Sequence, residues 1–502
     1  MGRSGFWVLF ATIIASSMAF IDGSALNVAL PSLQEDLGAT ATDLLWIVNG
    51  YALMLAALIL VGGALGDRFG RKRIFMLGIG LFAVASILCG FAPTTAFLIA
   101  ARILQGIGGA LMIPGSLALI SANFGDESRG RAIGTWSSVS TVTTILGPVL
   151  GGVLASAGLW RWVFFINVPL AAASLWALWQ FVPESRDEHA PPQLDYAGAA
   201  LATIGLAGVT YGLLAVPDSG WQTPVVWLTL GGGVLLLGWF LLVQARSPNA
   251  MMPLSLFRSP VFAGTNLLTL FLYAALYGML FFLPLNLIQI QGYNETLAGL
   301  TSLPIAVFLA LLSPWAGGLA DRYGPRLPLT VGPAIAGLGF FLLGLPGVTN
   351  GAGDYWATYF PGVLALGLGM ALTVTPLTAA VMGSVGTERA GIASGVNNAV
   401  SRVAGVLAVA VMGLIALLVF APALQTEAAN LGLSDAVREA LAAESAKLGG
   451  AQVPPDLAES EATAARLAID MAFVQSFRVL AFVAAGLAWI SAVVAAVMLR
   501  RS

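Results

Sequence analysis

Three ionisable side chains interrupt long apolar stretches of a chain in which only 9% of the 502 residues are charged. Asp22 and Arg102 lie in two such stretches of the first half, and Arg402 lies in a stretch of the second half. Burying a charge in an apolar medium is costly, so such groups are usually retained for function. These three residues are therefore the first candidates for the chemistry of this protein.

Asp22 and Arg102 have the residue types and the depths of a buried ion pair. At 1.5 Å per helical residue, Asp22 lies roughly 12 Å and Arg102 roughly 9 Å from the same end of two antiparallel helices. A buried carboxylate that loses its counter-ion favours the protonated form. The pair is therefore a candidate proton-coupling site, and a static structural ion pair is the alternative.

Arg402 follows Asn397 and Asn398 midway along its apolar stretch. A guanidinium there can bind an anionic group or satisfy backbone carbonyl groups. The residues around it favour neither role over the other.

Charge and glycine are concentrated in residues 62–75, which read GGALGDRFGRKRIF. Glycines let a neighbouring helix pack closely, and one more glycine allows a tight turn. Ion pairs between this segment and residues 125–131 would break when two helical bundles move apart, so they predict a conformational latch. The predicted latch residues are Gly63, Asp67, Arg68, Gly70, Arg71, Glu127 and Arg131, with Asp321 in a similar second segment. Simple anchoring of a positively charged loop is the alternative.

The elements that must position these residues are membrane-spanning helices, because 58% of the chain is hydrophobic. A spanning helix needs about 20 mostly apolar residues. Fourteen stretches meet this requirement, at roughly 6–30, 44–66, 74–92, 96–121, 131–156, 161–182, 195–216, 224–244, 260–289, 296–319, 327–346, 355–384, 389–420 and 474–499.

The distribution of lysine and arginine predicts the orientation of these helices. With the N-terminus inside, almost every basic residue of a short loop is cytoplasmic, and Arg161 is the exception among short outer loops. An excess of positive charge on the cytoplasmic side is typical of membrane proteins. We therefore expect both termini in the cytoplasm, a multi-pass protein of the plasma (cytoplasmic inner) membrane, and a long extracytoplasmic loop at 421–473. Within this loop SDAVREALAAESAKL has helical periodicity with Ser434 as its N-cap, so we expect a solvated helical hairpin over the outer mouth.

The two halves of the chain resemble each other. The segment GGALGDRFG has a counterpart in GGLADRYG, and ESRGRAIG has one in ERAGIASG. The repeat predicts an N-terminal six-helix bundle at 1–185, two inserted helices with flanking loops at 186–258, and a C-terminal six-helix bundle at 259–502. Two repeated bundles around a site near the membrane midplane are the architecture of alternating access.

Several motifs resemble those of the major facilitator superfamily, and of its fourteen-helix drug:proton antiporters (DHA2-type) in particular. GALGDRFGRK is similar to the signature loop, LIAARILQGIGGA to the fourth-helix motif, and GPVLGG to the antiporter motif of the fifth helix. IDGSALNVALP and WRWVFFINVP are similar to further motifs of these antiporters. The resemblance implies an all-α integral membrane protein with two six-helix bundles plus two inserted helices. The chain departs from it in having Thr143 where glycine is usual and Ser24 where threonine is usual.

The resemblance also implies roles for particular residues. The antiporter motif, a barrier to proton leak, falls on Gly147, Pro148, Gly151 and Gly152. Candidate contacts in a substrate cavity are Asn27, Gln105, Tyr273, Tyr277, Met370, Asn397, Asn398 and Arg402. For any one of these, packing or a lipid-facing position is an equally good explanation.

The function expected from this resemblance is proton-coupled export of hydrophobic or amphiphilic small molecules, as multidrug efflux, with the proton gradient as energy source. Export or flipping of a lipid or endogenous metabolite is an alternative within transport. A polytopic membrane enzyme or sensor is the alternative from another class, and the sequence contains no H-E-x-x-H, paired intramembrane aspartates or phosphate-binding loop to support it.

Composition narrows the expected partners further. One cysteine and one histidine leave little scope for a metal site or for nucleophilic catalysis, so we expect no metal, no cofactor and no enzymatic activity. A net charge of −2 argues against nucleic acid as a partner. The expected partners are a small-molecule substrate and membrane lipids, and the expected state is a monomer.

Overall fold

The computed structural model describes residues 3–186, 195–247, 249–385 and 390–499, which are almost entirely helical and contain no β-strand. The first half comprises α1 Arg3–Leu37, α2 Ala41–Phe69, α3 Arg71–Gly90, α4 Thr95–Asn123, α5 Asp126–Ser156, α6 Trp162–Phe165 and α7 Asn167–Phe181. The inserted pair is α8 Tyr196–Ser219 and α9 Pro224–Arg246. The second half comprises α10 Pro260–Leu285, α11 Glu295–Leu300, α12 Leu303–Tyr323, α13 Arg326–Leu343, α14 Tyr355–Thr358, α15 Phe360–Gly383, α16 Ala390–Asn430, α17 Asp435–Glu444 and α18 Glu459–Met498.

By length and composition, thirteen helical segments among the described residues can cross a membrane. They match thirteen of the fourteen predicted spans, and α5 lies at the position of the remaining one, with an apolar stretch at Val142–Ser156. The predicted all-α membrane fold is thus confirmed.

The segment 421–473 contains the predicted helix, α17, which begins directly after Ser434, and the two flanking helices extend further into the segment than their apolar spans. Helix α16 continues to Asn430 and α18 already begins at Glu459, so these helices are 41 and 40 residues long. Both extensions are rich in alanine, which has the highest helix propensity, so the helices continue beyond the apolar stretch that a hydropathy criterion detects. At 1.5 Å per residue each is roughly 60 Å long, about twice the thickness of the hydrocarbon core.

Within each half, glycines bring one pair of helices into close contact, and the two pairs occupy equivalent positions in the repeat. In the first half, an added Cβ at Gly78 on α3 would lie 2.8 Å from the backbone nitrogen of Met112 on α4. In the second half, one at Gly339 on α13 would lie 2.6 Å from the backbone nitrogen of Leu366 on α15. Lipid supplies no hydrophobic driving force between helices, so close packing at small residues holds each bundle together.

The internal repeat is also visible in backbone conformation. Gly70 ends α2 with φ 113°, and Gly324 ends α12 with φ 81°. Each glycine follows the related sequences DRF and DRY. A residue with a side chain rarely adopts positive φ, so the two loops need glycine for the same reason.

The inserted helices lie on the outside of the bundles. Helix α8 packs against both α2 and α16, where Leu206 joins Leu53 and Val406 in one buried cluster. Helix α9 packs on α8 and leaves large apolar side chains such as Leu235 and Trp239 exposed. In a bilayer this exposed face contacts lipid.

The predicted orientation can be tested with single cysteines on a Cys89→Ala background. Arg73 lies in the signature loop with 80% of its side chain exposed, and Asp435 begins α17 with 90% exposed. We expect an impermeant maleimide added to intact cells to label Asp435→Cys rapidly and Arg73→Cys only after permeabilisation. The reverse pattern would contradict the orientation.

Candidate functional site

A buried ion pair joins α1 to α4 in the first half. Arg102 Nη1 donates to Asp22 Oδ2 at 2.5 Å, and the two side chains are 1% and 0% exposed. The residues that the sequence places at similar depth are therefore in direct contact. Because almost no water reaches either group, the ionised pair depends on its remaining hydrogen bonds.

Polar side chains from three helices complete the surroundings of the Asp22 carboxylate. Gln105 Nε2 donates to Asp22 Oδ1 at 2.8 Å, and Asn167 Nδ2 donates to the same oxygen at 3.3 Å. Ser86 Oγ accepts from both of these amides, at 2.9 and 3.3 Å. We call Asp22, Arg102, Gln105, Asn167 and Ser86 the carboxylate network. Every contact in this network to the Asp22 carboxylate is a hydrogen bond donated to it.

Arg102 is held on its other sides by backbone and aromatic groups. Its Nε donates to the carbonyl oxygen of Ile47 at 3.1 Å, and Nη1 also donates to Gln105 Oε1 at 2.6 Å. The guanidinium carbon lies 4.4 Å from the ring centroid of Tyr51 and 5.8 Å from that of Phe164. Cation–π contacts of this kind stabilise a desolvated guanidinium.

Sequence reasoning did not single out Asn167, Ser86, Tyr51 or Phe164. Asn167 and Phe164 lie in WRWVFFINVP, which was noted only for its resemblance to antiporters. Ser86 and Tyr51 carry no signal of their own in the sequence. Gln105, predicted as a cavity residue, instead belongs to the carboxylate network and is fully buried.

A separate cavity of about 130 Å³ lies between α10, α15 and α16. Its polar lining includes the predicted residues Tyr273, Tyr277, Asn397, Asn398 and Arg402. Arg402 stands 12 residues after the start of α16, roughly 18 Å along the helix axis.

The other predicted cavity residues differ in their surroundings. Asn397 Nδ2 donates to Asn266 Oδ1 and Thr269 Oγ1, which ties α16 to α10, and Asn398 Nδ2 donates to Ser394 O. Met370 is 3% exposed within the apolar core and does not line the cavity. Asn27 is partly buried on α1 and is likewise absent from the lining.

Glycines of GPVLGG bring α5 against two different partners. A methyl group on Gly147 would overlap Ser24 Oγ, and one on Gly151 would overlap the Ala25 carbonyl oxygen, both on α1 of the same half. A methyl group on Gly152 would instead overlap the Glu295 carbonyl oxygen at the start of α11 in the other half. In the same way, a methyl group on Gly299 of α11 would overlap the Pro148 carbonyl oxygen of α5.

The two halves meet at the end of the molecule that carries Leu37, Glu295 and the segment 431–458. We call it the outer end, following the predicted orientation. Ser32 Oγ donates to Glu295 Oε1 at 3.1 Å, and Gln289 Nε2 donates to Gln34 Oε1 at 2.7 Å. These contacts join α1 to the second half, so the structure is closed at its outer end.

A turn between α17 and α18 adds to this closure. Leu448 is 3% exposed and lines a small apolar cavity with Leu45 of α2 and Phe281 of α10. Its backbone has φ 54° and ψ −130°, a conformation that costs a residue with a side chain on the order of 1–3 kcal/mol. Beside it, Gln34 Nε2 donates to the Lys447 carbonyl oxygen at 3.2 Å. The turn therefore contacts both halves at once.

The signature loop lies at the opposite end of the molecule. Arg71 Nε donates to Asp67 Oδ1 at 2.8 Å, and both side chains are partly exposed. Glu184, which follows α7, accepts the backbone N–H groups of Lys72 and Arg73 at 2.9 and 3.1 Å. It thereby caps the N-terminus of α3, where Gly70 has no side chain to do so.

The structure describes only some of the other predicted latch residues. The side chains of Glu127, Arg131 and Asp321 lie outside the described residues. Arg68 and Gly63 lie on α2, and a Cβ at Gly63 would be in ordinary contact with Pro114 of α4, at 3.5 Å. Across the described part of the chain, no group of three or more His, Cys, Asp or Glu residues is placed to hold a metal ion.

The chain is similar to known transport proteins along most of its length. The family model described as Major Facilitator Superfamily matches residues 12–409. The multidrug resistance protein Stp of Mycobacterium tuberculosis (strain CDC 1551 / Oshkosh) is 35% identical over 417 residues, 82% of this chain and 76% of that protein. The tetracenomycin C resistance and export protein of Streptomyces glaucescens is 33% identical over 410 residues, 81% of this chain and 75% of that protein.

Solved structures show the same fold at low sequence identity. A bacterial homolog of the human lysosomal transporter Spinster, in an inward-facing and unoccupied conformation, aligns with a TM-score of 0.66 at 18% identity and covers 98% of both chains. The family match and the sequence identity to these relatives together show which family the chain belongs to. The chain belongs to the major facilitator superfamily and is a multi-pass membrane transporter rather than an enzyme.

Proposed function

We propose that this transporter exports amphiphilic small molecules from the cell in exchange for protons, by alternating access. The observation that carries the proposal is the carboxylate network, a buried Asp22–Arg102 pair with no role in binding lipid or closing the outer end. A buried charged pair seldom adds stability over an apolar pair of the same size, so its retention favours a functional role. The relatives named for resistance and export support efflux as the direction of transport.

The protonation of Asp22 would alternate with the position of the bundles. In the outer-closed structure Arg102, Gln105 and Asn167 all donate to the Asp22 carboxylate, and we assign the proton-free state of the cycle to this arrangement. Opening the outer end breaks the cross-half contact of Gln34 on α1, the helix that also carries Asp22, and the proposal requires α1 then to shift against α4 within its own half. A carboxylate separated from Arg102 favours the neutral form, so it would take up a proton from outside. This order of events gives proton entry coupled to substrate exit.

The outer closure has the features of a reversible contact. The described contacts there include hydrogen bonds between neutral groups, hydrogen bonds to the Glu295 carboxylate, the packing of Leu448, and the close approach of α5 to α11 at Gly152 and Gly299. Individual hydrogen bonds contribute only about 0.5–1.5 kcal/mol each between neutral groups and about 1.5–3 kcal/mol to a charged group. Rocking of the two halves can therefore break them without unfolding either bundle.

Proteoliposomes provide the direct test of this function. We expect addition of an amphiphilic drug to vesicles containing the purified chain to trigger proton movement without ATP. An imposed pH gradient should in turn drive the drug uphill. Drug-induced proton movement equal to that of empty vesicles, across a panel of resistance-relevant compounds, would reject proton-coupled export.

We further propose that the protein lies in the plasma membrane with cytoplasmic termini, and that the signature loop is the inner latch. The Asp67→Asn substitution removes the negative charge that pairs with Arg71 and should slow turnover several-fold in a folded, inserted protein. Substrate affinity should change little, because neither residue of the pair lines the cavity. Transport rate and equilibrium binding measured on the same preparation separate these effects.

Arg73→Ala is the matched control for the latch. It removes a positive charge from the same loop, but Arg73 is 80% exposed and lies outside the Asp67–Arg71 pair. We expect normal rates in this variant. Normal transport rates in both Asp67→Asn and Arg71→Ala would show that the loop acts only as a positively charged membrane anchor.

A further inference from the structure

We propose that Arg402 is the recognition group for an acidic amphiphile, so that the exported molecules carry a carboxylate or similar oxyanion on an aromatic or aliphatic body. This inference rests on the proposed export function and names its substrate class. Three observations support it: Arg402 lacks a hydrogen-bond acceptor among the described residues, its cavity has a polar and aromatic lining, and the helices around it carry no acidic residue near it.

Among the described residues, Arg402 has no hydrogen-bond or ion-pair partner. The side chain is partly buried, yet it makes no hydrogen bond or ion pair with any residue that the structure describes. Arg102, the buried arginine of the first half, donates to a carboxylate, an amide and a backbone carbonyl group. Two other arginines of the second half have backbone acceptors: Arg326 donates to the Ala496 carbonyl oxygen and Arg478 to that of Gly344. An unpaired guanidinium within a membrane helix is costly, so its persistence calls for an acceptor from outside the chain.

The cavity beside Arg402 is polar on one side and suited to a ring on the other. Ser401 and Asn398 lie near the guanidinium, and Leu377 and Met382 of α15 contribute apolar surface. Tyr273 and Tyr277 stand side by side on α10 with ring centroids 6.0 Å apart. Gly405 permits this placement, because a Cβ there would lie 2.8 Å from the Tyr277 ring. Aromatic faces next to a fixed cation suit a flat molecule with one anionic end.

Charge balance in the membrane core points the same way. Helices α10 and α15 contain no Asp or Glu, and α16 has none before Glu427, 25 residues beyond Arg402. In the first half, Asp22 is already neutralised by Arg102. The remaining unpaired charge within these three helices is therefore positive and lies in the cavity. A cationic substrate would be repelled there, whereas a carboxylate can accept two parallel hydrogen bonds from the guanidinium fork.

Paired acids and esters give the test on the purified full-length chain. We would use benzene, naphthalene and anthracene carboxylates together with their methyl esters, which keep the ring and lose the charge. Binding is measured by calorimetry in detergent at low ionic strength. We expect the wild-type chain to bind at least one carboxylate about 10- to 100-fold more tightly than its ester. This ratio of affinities corresponds to the free energy of one hydrogen bond between charged groups, which the ester cannot form.

Variants then assign the preference to one residue. Arg402→Gln should remove the preference and leave ester affinity within about twofold, whereas Arg402→Lys should retain part of it. Arg478→Gln is the matched control, since it removes another second-half arginine that lies outside the cavity. Equal binding of acid and ester by the wild-type chain, or an unchanged preference in a folded Arg402→Gln chain, would overturn the inference.

The same ligands distinguish this inference from the proposed function. In proteoliposomes the preferred carboxylate should trigger proton movement. Acid-selective binding without any proton movement would reject proton-coupled export and leave the anion site standing. Proton movement triggered equally by acids and esters would support export and reject the anion site.

Discussion

Replacing Asp22 with asparagine should abolish uphill transport driven by a pH gradient while leaving downhill exchange measurable. Asparagine has the shape of the protonated acid but cannot release a proton. Its amide also leaves Arg102 buried without a negative partner, and breaking a buried pair costs about 3–5 kcal/mol. Transport must therefore be compared at equal amounts of folded protein, with size-exclusion profiles and thermal unfolding recorded in parallel. Substrate-induced proton movement in proteoliposomes is the measurement.

Asp36→Asn is the control for this prediction. Asp36 also accepts from an arginine, with Arg161 Nη1 at 2.5 Å, but both side chains are partly exposed at the outer end. Loss of an exposed pair typically costs less than about 1 kcal/mol, and coupling should persist. Proton coupling of wild-type strength in Asp22→Asn would refute Asp22 as the proton-coupling residue. Asp43 and Asp354 would then be the next candidates.

Gly152→Ala should trap the transporter open at its outer end and lower transport about tenfold or more. The added methyl group would overlap the Glu295 carbonyl oxygen and lie 2.8 Å from the Glu295 carbonyl carbon. That clash exists only while α5 and α11 are in contact, because the two helices belong to different halves. Overpacking of this kind costs about 1–3 kcal/mol, so a balanced equilibrium would shift about 5- to 150-fold toward the open form.

Gly151→Ala separates this effect from simple misfolding. Gly151 is the adjacent residue, but its methyl group would overlap Ala25 of α1 within the same half in every transport state. We therefore expect lower thermal stability without a shift toward the open form. A cysteine at Leu45, which is 1% exposed and packs against Gly413, reports opening through its labelling rate. Unchanged labelling and full transport in Gly152→Ala would show that this contact does not govern access.

The helices and the central ion pair could be predicted because both depend on local quantities. Apolar length fixes where a span lies, and the 1.5 Å rise fixes the relative depth of Asp22 and Arg102. The signature loop was predictable for a similar reason, since a glycine after DRF marks a tight turn. The roles assigned to the site residues stay predictions that the experiments above address.

The partners on other helices could not be predicted in this way. Asn167 and Ser86 reach Asp22 only because α3 and α7 pack beside α1, and a single sequence does not reveal that arrangement. Glu184 caps α3 from more than 100 residues away, which no local capping rule detects. Leu448 is a further case, because its positive φ is imposed by the tertiary contacts around it and no glycine marks the position.

The two long helices of the second half give the transporter a lever arm. Helices α16 and α18 continue beyond the hydrocarbon core and are joined through α17, so their projecting ends belong to the same body as the cavity of Arg402. A small rotation about the membrane midplane displaces the tip of such an arm further than any point inside the bilayer. Distance labels or a bound nanobody on α17 would therefore report the transport cycle with an amplified signal, read from the aqueous phase.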